Sequence, residues 1–169
     1  MILILDLDET LVHICDKGDT QGDFMYKSVG VKKRPYLDKL IEYLTNNPYY
    51  EAGVWSAGVD EYVRTVVDNI FPDPSILRFI MSRDTCNEAY KKPLSKVRSL
   101  YNETYSTDYD RGSFVIIDDR NNITDFDELN HIRVRPYRGE ENDTELLDLI
   151  EFLNNNKGLS SECLVVNWQ

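Results

Sequence analysis

The chain has 169 residues, 41% of them apolar, and 19 Lys and Arg against 30 Asp and Glu give it a formal charge of −11. That length suits one domain able to bury a core without staples, and the apolar content is too high for a disordered chain. No apolar run reaches the ~18 residues of a bilayer span, and Met1–Leu5 lacks the basic flank of a signal peptide and is cut short by Asp6 and Asp8. Three cysteines (Cys15, Cys86, Cys163) show no C-x-x-C spacing, which predicts a reduced, intracellular setting and argues against a zinc site. The acidic balance disfavours direct binding to nucleic acid or to an anionic membrane. The first apolar run starts at Ile2, an order that predicts no amino-terminal anchor or accessory domain, and no repeat or linker divides residues 1–169.

In chain order, Ile2–Leu5 is a short, fully apolar run of strand length that ends in acidic residues. From Pro35, placed to open a helix, Leu37, Leu40, Ile41 and Leu44 recur at helical spacing. Tyr50–Trp55 reads as a second strand, and Tyr62, Val63, Val66, Val67 and Ile70 mark a helix that Pro72 and Pro74 stop. Ile76–Met81 is a third strand, followed by a helix carrying Leu94, Val97, Leu100 and Tyr101. Phe114–Ile117 is a fourth strand, His131–Val134 a fifth, and Asp143–Leu153 a closing amphipathic helix capped by Asp143 or Asn142. Residues 154–169 form a tail or an added edge strand.

Short apolar strands alternating with helices predict an α/β fold with a parallel sheet covered on both faces. In such sheets the ligand lies beyond the carboxyl ends of the strands. The residues at those ends are Asp6-Leu7-Asp8, Ser56, Asp118-Asp119 and Arg135. Their side chains would converge on one crevice.

Asp6-Leu7-Asp8-Glu9-Thr10 has the form D-x-D-x-T at the end of the first strand and resembles the signature of the haloacid dehalogenase superfamily of phosphotransferases. The longer run from Leu5 to His13 resembles a narrower branch, the Fcp/Scp-type (NLI-interacting-factor-like) phosphatases of the RNA polymerase II carboxyl-terminal domain. Lys33-Arg34-Pro35-Tyr36, Trp55-Ser56-Ala57-Gly58, Arg83-Asp84-Thr85-Cys86 and Tyr90-Lys91-Lys92-Pro93-Leu94 resemble further segments of that branch in the right order. So do Val115-Ile116-Ile117-Asp118-Asp119-Arg120 and Asn142-Asp143-Thr144-Glu145-Leu146, and the resemblance covers about residues 2–153. It implies a Rossmann-like three-layer core with a small β insertion after the first motif. It further implies a Mg²⁺-dependent phosphoserine/phosphothreonine protein phosphatase.

The chemistry gives each residue type a reason. A phosphomonoester dianion repels an anionic nucleophile, so its charge must be neutralised, a task suited to Mg²⁺ held by hard oxygen ligands. The resemblance makes Asp6 the nucleophile that forms an aspartyl-phosphate. It makes Asp8 the general acid and then base, with its backbone carbonyl on the metal. Asp119 is implied as the distal metal carboxylate, with Asp118 sharing the metal or orienting Lys92. Ser56 Oγ and neighbouring backbone N–H groups, that of Ala57 included, would hold phosphoryl oxygens at a helix N-terminus. Lys92 would pair with the phosphate and with Asp6, and Lys91 is its runner-up. Thr10 is expected to bond to the turn that shapes the site. Taken alone, Ser56 reads as a helix cap, Asp118-Asp119 as a turn and Lys92 as a solvated charge. His13 and His131 lack the context of a catalytic relay.

Leu11–Arg34 is too short for a folded helical cap and fits two or three small strands, turning at Gly18, Gly22 and Gly30. An uncapped site admits a residue on a polypeptide, so the expected partner is a phosphorylated protein or peptide. Phe24 and Tyr26, with Met25 and Val29, either wall the phosphate site or glue the insertion to the domain. Arg135 and Arg138 lie in the basic cluster Arg133–Arg138, which either attracts a phosphorylated peptide or bridges local carboxylates. Competing functions are a small-molecule or nucleic-acid-end phosphatase and a non-catalytic phosphopeptide-binding relative. The complete set Asp6, Asp8, Ser56, Lys92 and Asp119 favours catalysis.

Overall fold

The computed structural model describes residues 1–121, 123–124 and 128–168. β1 (Ile2–Leu5) is followed by three short strands, β2 (Val12–Ile14), β3 (Phe24–Tyr26) and β4 (Val29–Lys33). Next come α1 (Leu37–Asn46), β5 (Glu51–Trp55), α2 (Asp60–Ile70), β6 (Leu77–Met81), α3 (Leu94–Tyr105), β7 (Phe114–Asp118) and β8 (His131–Arg133). Two helices close the chain, α4 (Glu145–Asn155) and α5 (Ser161–Trp168).

Five strands form one parallel sheet in the order β6-β5-β1-β7-β8. β1 lies at its centre, with Leu5 facing Val54 on one side and Ile117 on the other. The period of two along the central strands divides their side chains between two cores. Leu3, Leu5, Ala52, Val54, Val115 and Ile117 pack with the apolar stripes of α1, α2, α4 and α5. Ile2, Ile4, Trp55, Phe114 and Ile116 pack on the opposite face against Leu94, Val97 and Tyr101 of α3. All strands therefore deliver their carboxyl ends to one edge of a sheet buried on both faces. β2, β4 and β3 make a separate antiparallel sheet in that order, with Val12 facing Lys33 and Phe24 facing Val31. No helix among the described residues is long and apolar enough to cross a membrane.

Several boundaries differ from the sequence expectation. Pro35 does not open α1: Tyr36 is the N-cap residue and sits at φ 65°, so Pro35 and Tyr36 form a turn that precedes Leu37. Ile76 belongs to a 3-10 turn ahead of β6, and Leu100 is exposed on α3. Thr144 occupies the N-cap of α4 without a capping bond from its side chain, although Asp143 Oδ1 accepts the Glu145 N–H at 3.1 Å. Residues 161–168 are helix, not an edge strand. Leu164 and Val165 of α5 are buried, and the Trp168 indole N–H donates to the Arg133 carbonyl at 2.8 Å. The outer side of β8 is thus bonded by a helix, where a tail or an added edge strand was expected.

Candidate active site

β1 runs into a tight turn that fixes the first two acids. The Asp6 N–H still bonds the Ile117 carbonyl at 3.0 Å, so Asp6 remains in register with β7. The Leu7 carbonyl then accepts the N–H groups of Thr10, Leu11 and Val12, and Glu9 adopts the left-handed conformation at φ 60°. This folding-back of Leu7–Val12 leaves Asp6 4% exposed and presents Asp8 toward β5 and α2. The Thr10 hydroxyl, expected to bond to this turn, is instead buried with no hydrogen-bond partner among the described residues, while the Thr10 carbonyl accepts from Arg34 Nη1 at 3.0 Å.

The other strand ends supply the remaining groups. The Ser56 N–H bonds the Met81 carbonyl at 3.1 Å, which carries the ladder one residue past β5. α2 does not begin until Asp60, with Val59 as its N-cap residue, so Ser56 is in the connecting loop and neither caps the helix nor sits at its first turn. Ser56 Oγ accepts the Gly58 N–H at 2.9 Å and donates to Asp8 Oδ2 at 3.1 Å. The Ala57 carbonyl accepts from Arg83 Nε at 2.8 Å. At the end of β7, Asp118 Oδ1 accepts the Arg120 N–H at 2.9 Å in a short side-chain-to-backbone turn.

Lys92 joins these ends. Its N–H bonds the Ile123 carbonyl at 2.7 Å, and Pro93 then caps α3. The side chain is fully buried, unlike a solvated surface lysine, and Nζ donates to Asp6 Oδ1 and, at 2.6 Å, to Asp118 Oδ2. Lys91 points outward and is exposed. Burial works against the Lys92 ammonium, but Asp6 and Asp118 outweigh it and hold its pKa above the usual lysine value. Burial, followed by the neighbouring Asp118, raises the Asp119 carboxyl. Burial also raises Asp6, with Asp118 and Asp8 adding to it and Lys92 opposing it.

Asp6, Asp118 and Asp119 offer carboxylate oxygens that all lie within 4.8 Å of one another. Lys92, and Arg120 Nε at 3.7 Å from Asp118, set two cations against these three anions. A closely spaced, under-neutralised set of hard oxygens suits Mg²⁺. The Asp8 carboxylate is not among the three and engages Ser56 and Tyr62.

Two contributors escaped the sequence reading. Tyr62, read there as a core position of α2, is 4% exposed and donates its hydroxyl to Asp8 Oδ1 at 2.5 Å. Burial and then Asp8 raise its phenol well above the usual range. The available signal was a phenol on a buried helix face six residues beyond Ser56, since a buried tyrosine hydroxyl needs a partner. Arg34 was quoted only as part of a segment, yet it is fully buried. Its guanidinium bonds Asp143, the Thr10 carbonyl and, at 2.9 Å, the Arg135 carbonyl.

The four expected substrate contacts separate. Phe24 and Tyr26 both pack onto the main core, and Tyr26 also packs edge-on against Tyr62 with ring centroids 5.0 Å apart, which puts it beside Asp8. Arg138 Nη1 lies 3.2 Å from Glu9 Oε2, next to the first motif. Arg135 pairs with Glu145 at the start of α4, so both arginines make the local carboxylate bridges that were the alternative for this cluster.

Comparison with known proteins gives the same grouping. A family model described as NLI interacting factor-like phosphatase matches residues 1–162. CTD nuclear envelope phosphatase 1 of Xenopus laevis is 30% identical over 90% of this chain and 66% of its own length. The human CTD small phosphatase-like protein is 28% identical over 95% of this chain and 56% of its own. The chain therefore spans only part of the length of such curated relatives, from 26% to 66%. The solved structure of Fcp1, an essential RNA polymerase II CTD phosphatase, superposes with a TM-score of 0.59 at 22% identity, covering 89% of this chain and 49% of that one. That likeness shows a shared fold.

Proposed function

Because the chain belongs to the NLI interacting factor-like phosphatase family, we propose that it is a Mg²⁺-dependent phosphoserine/phosphothreonine protein phosphatase acting through an aspartyl-phosphate. Its substrates on this reading are phosphorylated peptides resembling the RNA polymerase II carboxyl-terminal domain, since its relatives' names carry the letters CTD and Fcp1 is called an RNA polymerase II CTD phosphatase. The observation that carries the reading is the buried Lys92 ammonium held between Asp6 and Asp118, with Asp119 beside them, at the carboxyl edge of the sheet.

Asp6, Asp118 and Asp119, with the Asp8 carbonyl, would hold the Mg²⁺ ion, which when bound neutralises phosphoryl charge that would repel the nucleophile. Asp6 attacks phosphorus, and the bond to the ester oxygen breaks with its electron pair on that oxygen. Asp8, entering as the acid, gives the leaving oxygen its proton; as carboxylate it then takes a proton from the water that attacks phosphorus and releases Asp6. Ser56 Oγ and the Ala57 N–H donate to phosphoryl oxygens. Lys92, already fixed on Asp6, meets the charge that builds there and needs no reorganisation to do so. Tyr26 and Arg138 border the entrance, so a residue carried on a polypeptide can be contacted on both sides.

The test is a panel of phosphopeptides, heptad repeats with phosphoserine at different positions among them, set against nucleotides and sugar phosphates. Phosphopeptides should be preferred, and a chelator should abolish turnover with the fold retained. Asp6→Asn should be folded and inactive. Preference for a nucleotide or sugar phosphate would overturn the protein-phosphatase assignment, and activity in Asp6→Asn would overturn the nucleophile.

A further inference from the structure

Asp8 has both carboxylate oxygens taken, and by hydroxyls of different kinds. Oδ2 accepts from Ser56 Oγ at 3.1 Å and Oδ1 from the Tyr62 phenol at 2.5 Å. Ser56 is itself fully buried but belongs to the loop between β5 and α2, and on the reading above its hydroxyl proton would be drawn to a phosphoryl oxygen. Tyr62 has no such freedom. It is rooted in α2, its ring is 4% exposed, and Tyr26 packs edge-on against it. The loop is shaped to let that ring in: a Cβ on Gly58 would stand 2.6 Å from Tyr62 Cδ1 and 3.2 Å from Ser56 Oγ. Any side chain at position 58 would push the ring or the serine aside.

We propose that Tyr62 is a positioning residue for Asp8, the fixed anchor that keeps its carboxyl group aimed once bound phosphate has taken the Ser56 hydroxyl. In the free protein the two hydroxyls together clamp the carboxylate. When Ser56 turns to the phosphate, Oδ2 is released, takes up from solvent the proton that it later gives to the leaving oxygen, and faces that oxygen, while Oδ1 stays on the phenol and stops the side chain from rotating away. Tyr62 thus acts through Asp8 and touches no reacting atom. This inference rests on the acid–base role of Asp8 proposed above.

Tyr62→Phe keeps the ring and its packing and removes only the hydroxyl. General acid assistance matters most when the leaving oxygen is basic and contributes ~10²–10⁴ in rate. Tyr62→Phe should therefore lower kcat on an alkyl ester, free phosphoserine included, by roughly tenfold or more, with a smaller loss on an activated aryl phosphate and little change in KM. Placed on Asp8→Asn, the same change should add nothing further, because its target is gone. Two results would overturn the assignment while the Asp8 role stands. One is ester dependence in Asp8→Asn with none in Tyr62→Phe; the other is a loss in Tyr62→Phe confined to peptide KM, the signature of a groove wall. If Asp8→Asn itself treats alkyl and aryl esters alike, the acid–base role fails and takes this inference with it.

Discussion

Arg34 and Asp143 meet 109 positions apart in the chain as a two-point pair, Nε to Oδ1 at 2.7 Å and Nη2 to Oδ2 at 2.8 Å. The arginine side chain is fully buried and the carboxylate nearly so. With its other bonds on the Thr10 and Arg135 carbonyls and its charge over the Tyr137 ring, Arg34 ties the first-motif turn to the exit of β8 and the start of α4. Removing one partner of a buried pair strands the other, at a cost of about 3–5 kcal/mol. Arg34→Met should lose that much in urea unfolding, and Arg34→Met with Asp143→Leu should lose less than the two single changes added together. Strict additivity would mean that the pair is not energetically coupled.

The same pair carries a pH signature. Burial raises the Asp143 carboxyl, but the Arg34 hydrogen bonds and charge outweigh it, so the folded value lies below 3.8. The unfolded chain thus takes up this proton at a higher pH than the folded one. The stabilisation is complete above the unfolded value and is lost as pH falls through the folded value. Unfolding free energies measured across the acid range should fall less steeply below the unfolded Asp143 value in Asp143→Asn than in the parent protein. An unchanged slope would remove Asp143 from the acid transition.

Lys92→Met tests the charge balance of the site without relying on turnover. The fully buried lysine answers Asp6 and Asp118, and among the described residues losing it leaves three close carboxylates opposed by Arg120. In chelator the variant should be destabilised, by as much as about 3–5 kcal/mol. Mg²⁺ should then restore part of the loss by binding the folded state only. The check is the thermal midpoint with and without the cation. A midpoint indifferent to Mg²⁺ would count against the carboxylates as a metal site.

The five core strands were legible because a sheet buried on both faces demands continuous apolar runs, and Ile2–Leu5 and Phe114–Ile117 have no other use in a charged chain. The acids at their ends were legible for the same reason: Asp6 and Asp118 stand where apolar runs stop. Contacts set by distant partners were hidden. α5 was not legible because Leu164-Val165-Val166 is β-suited, which leaves residues 154–169 between a tail and an edge strand, and its helix is stabilised by packing that no local pattern reports. Arg34 and Tyr62 were hidden in the same way, since spacing cannot tell a buried arginine beside a proline from an exposed one. Arg135 and Arg138 sit in one basic run, and only the position of α4 separates their roles.

That separation gives the last prediction. Arg138 is 65% exposed on its side chain and leans on Glu9, one residue beyond Asp8, so an acidic or multiply phosphorylated peptide entering the crevice passes it. Arg135 is as exposed, 69% on its side chain, but leans on Glu145 of α4, whose carboxylate is buried and also accepts the Arg135 N–H at 2.9 Å. Exposed charges of this kind are worth at most about 1 kcal/mol and are screened by salt. Arg138→Ala should therefore lower kcat/KM on a phosphopeptide by up to about fivefold at low ionic strength, with the deficit shrinking as salt is added. The loss should be larger on the peptide than on a small aryl phosphate, which does not reach Glu9. Arg135→Ala should leave the salt dependence of peptide turnover in place and instead lower stability by up to about 1 kcal/mol, because it uncovers the first turn of α4. The two variants measured side by side, each on both substrates over a salt series and each by urea unfolding, decide between the roles. If Arg135→Ala flattens the salt dependence and Arg138→Ala does not, the peptide enters along α4 and not past Glu9.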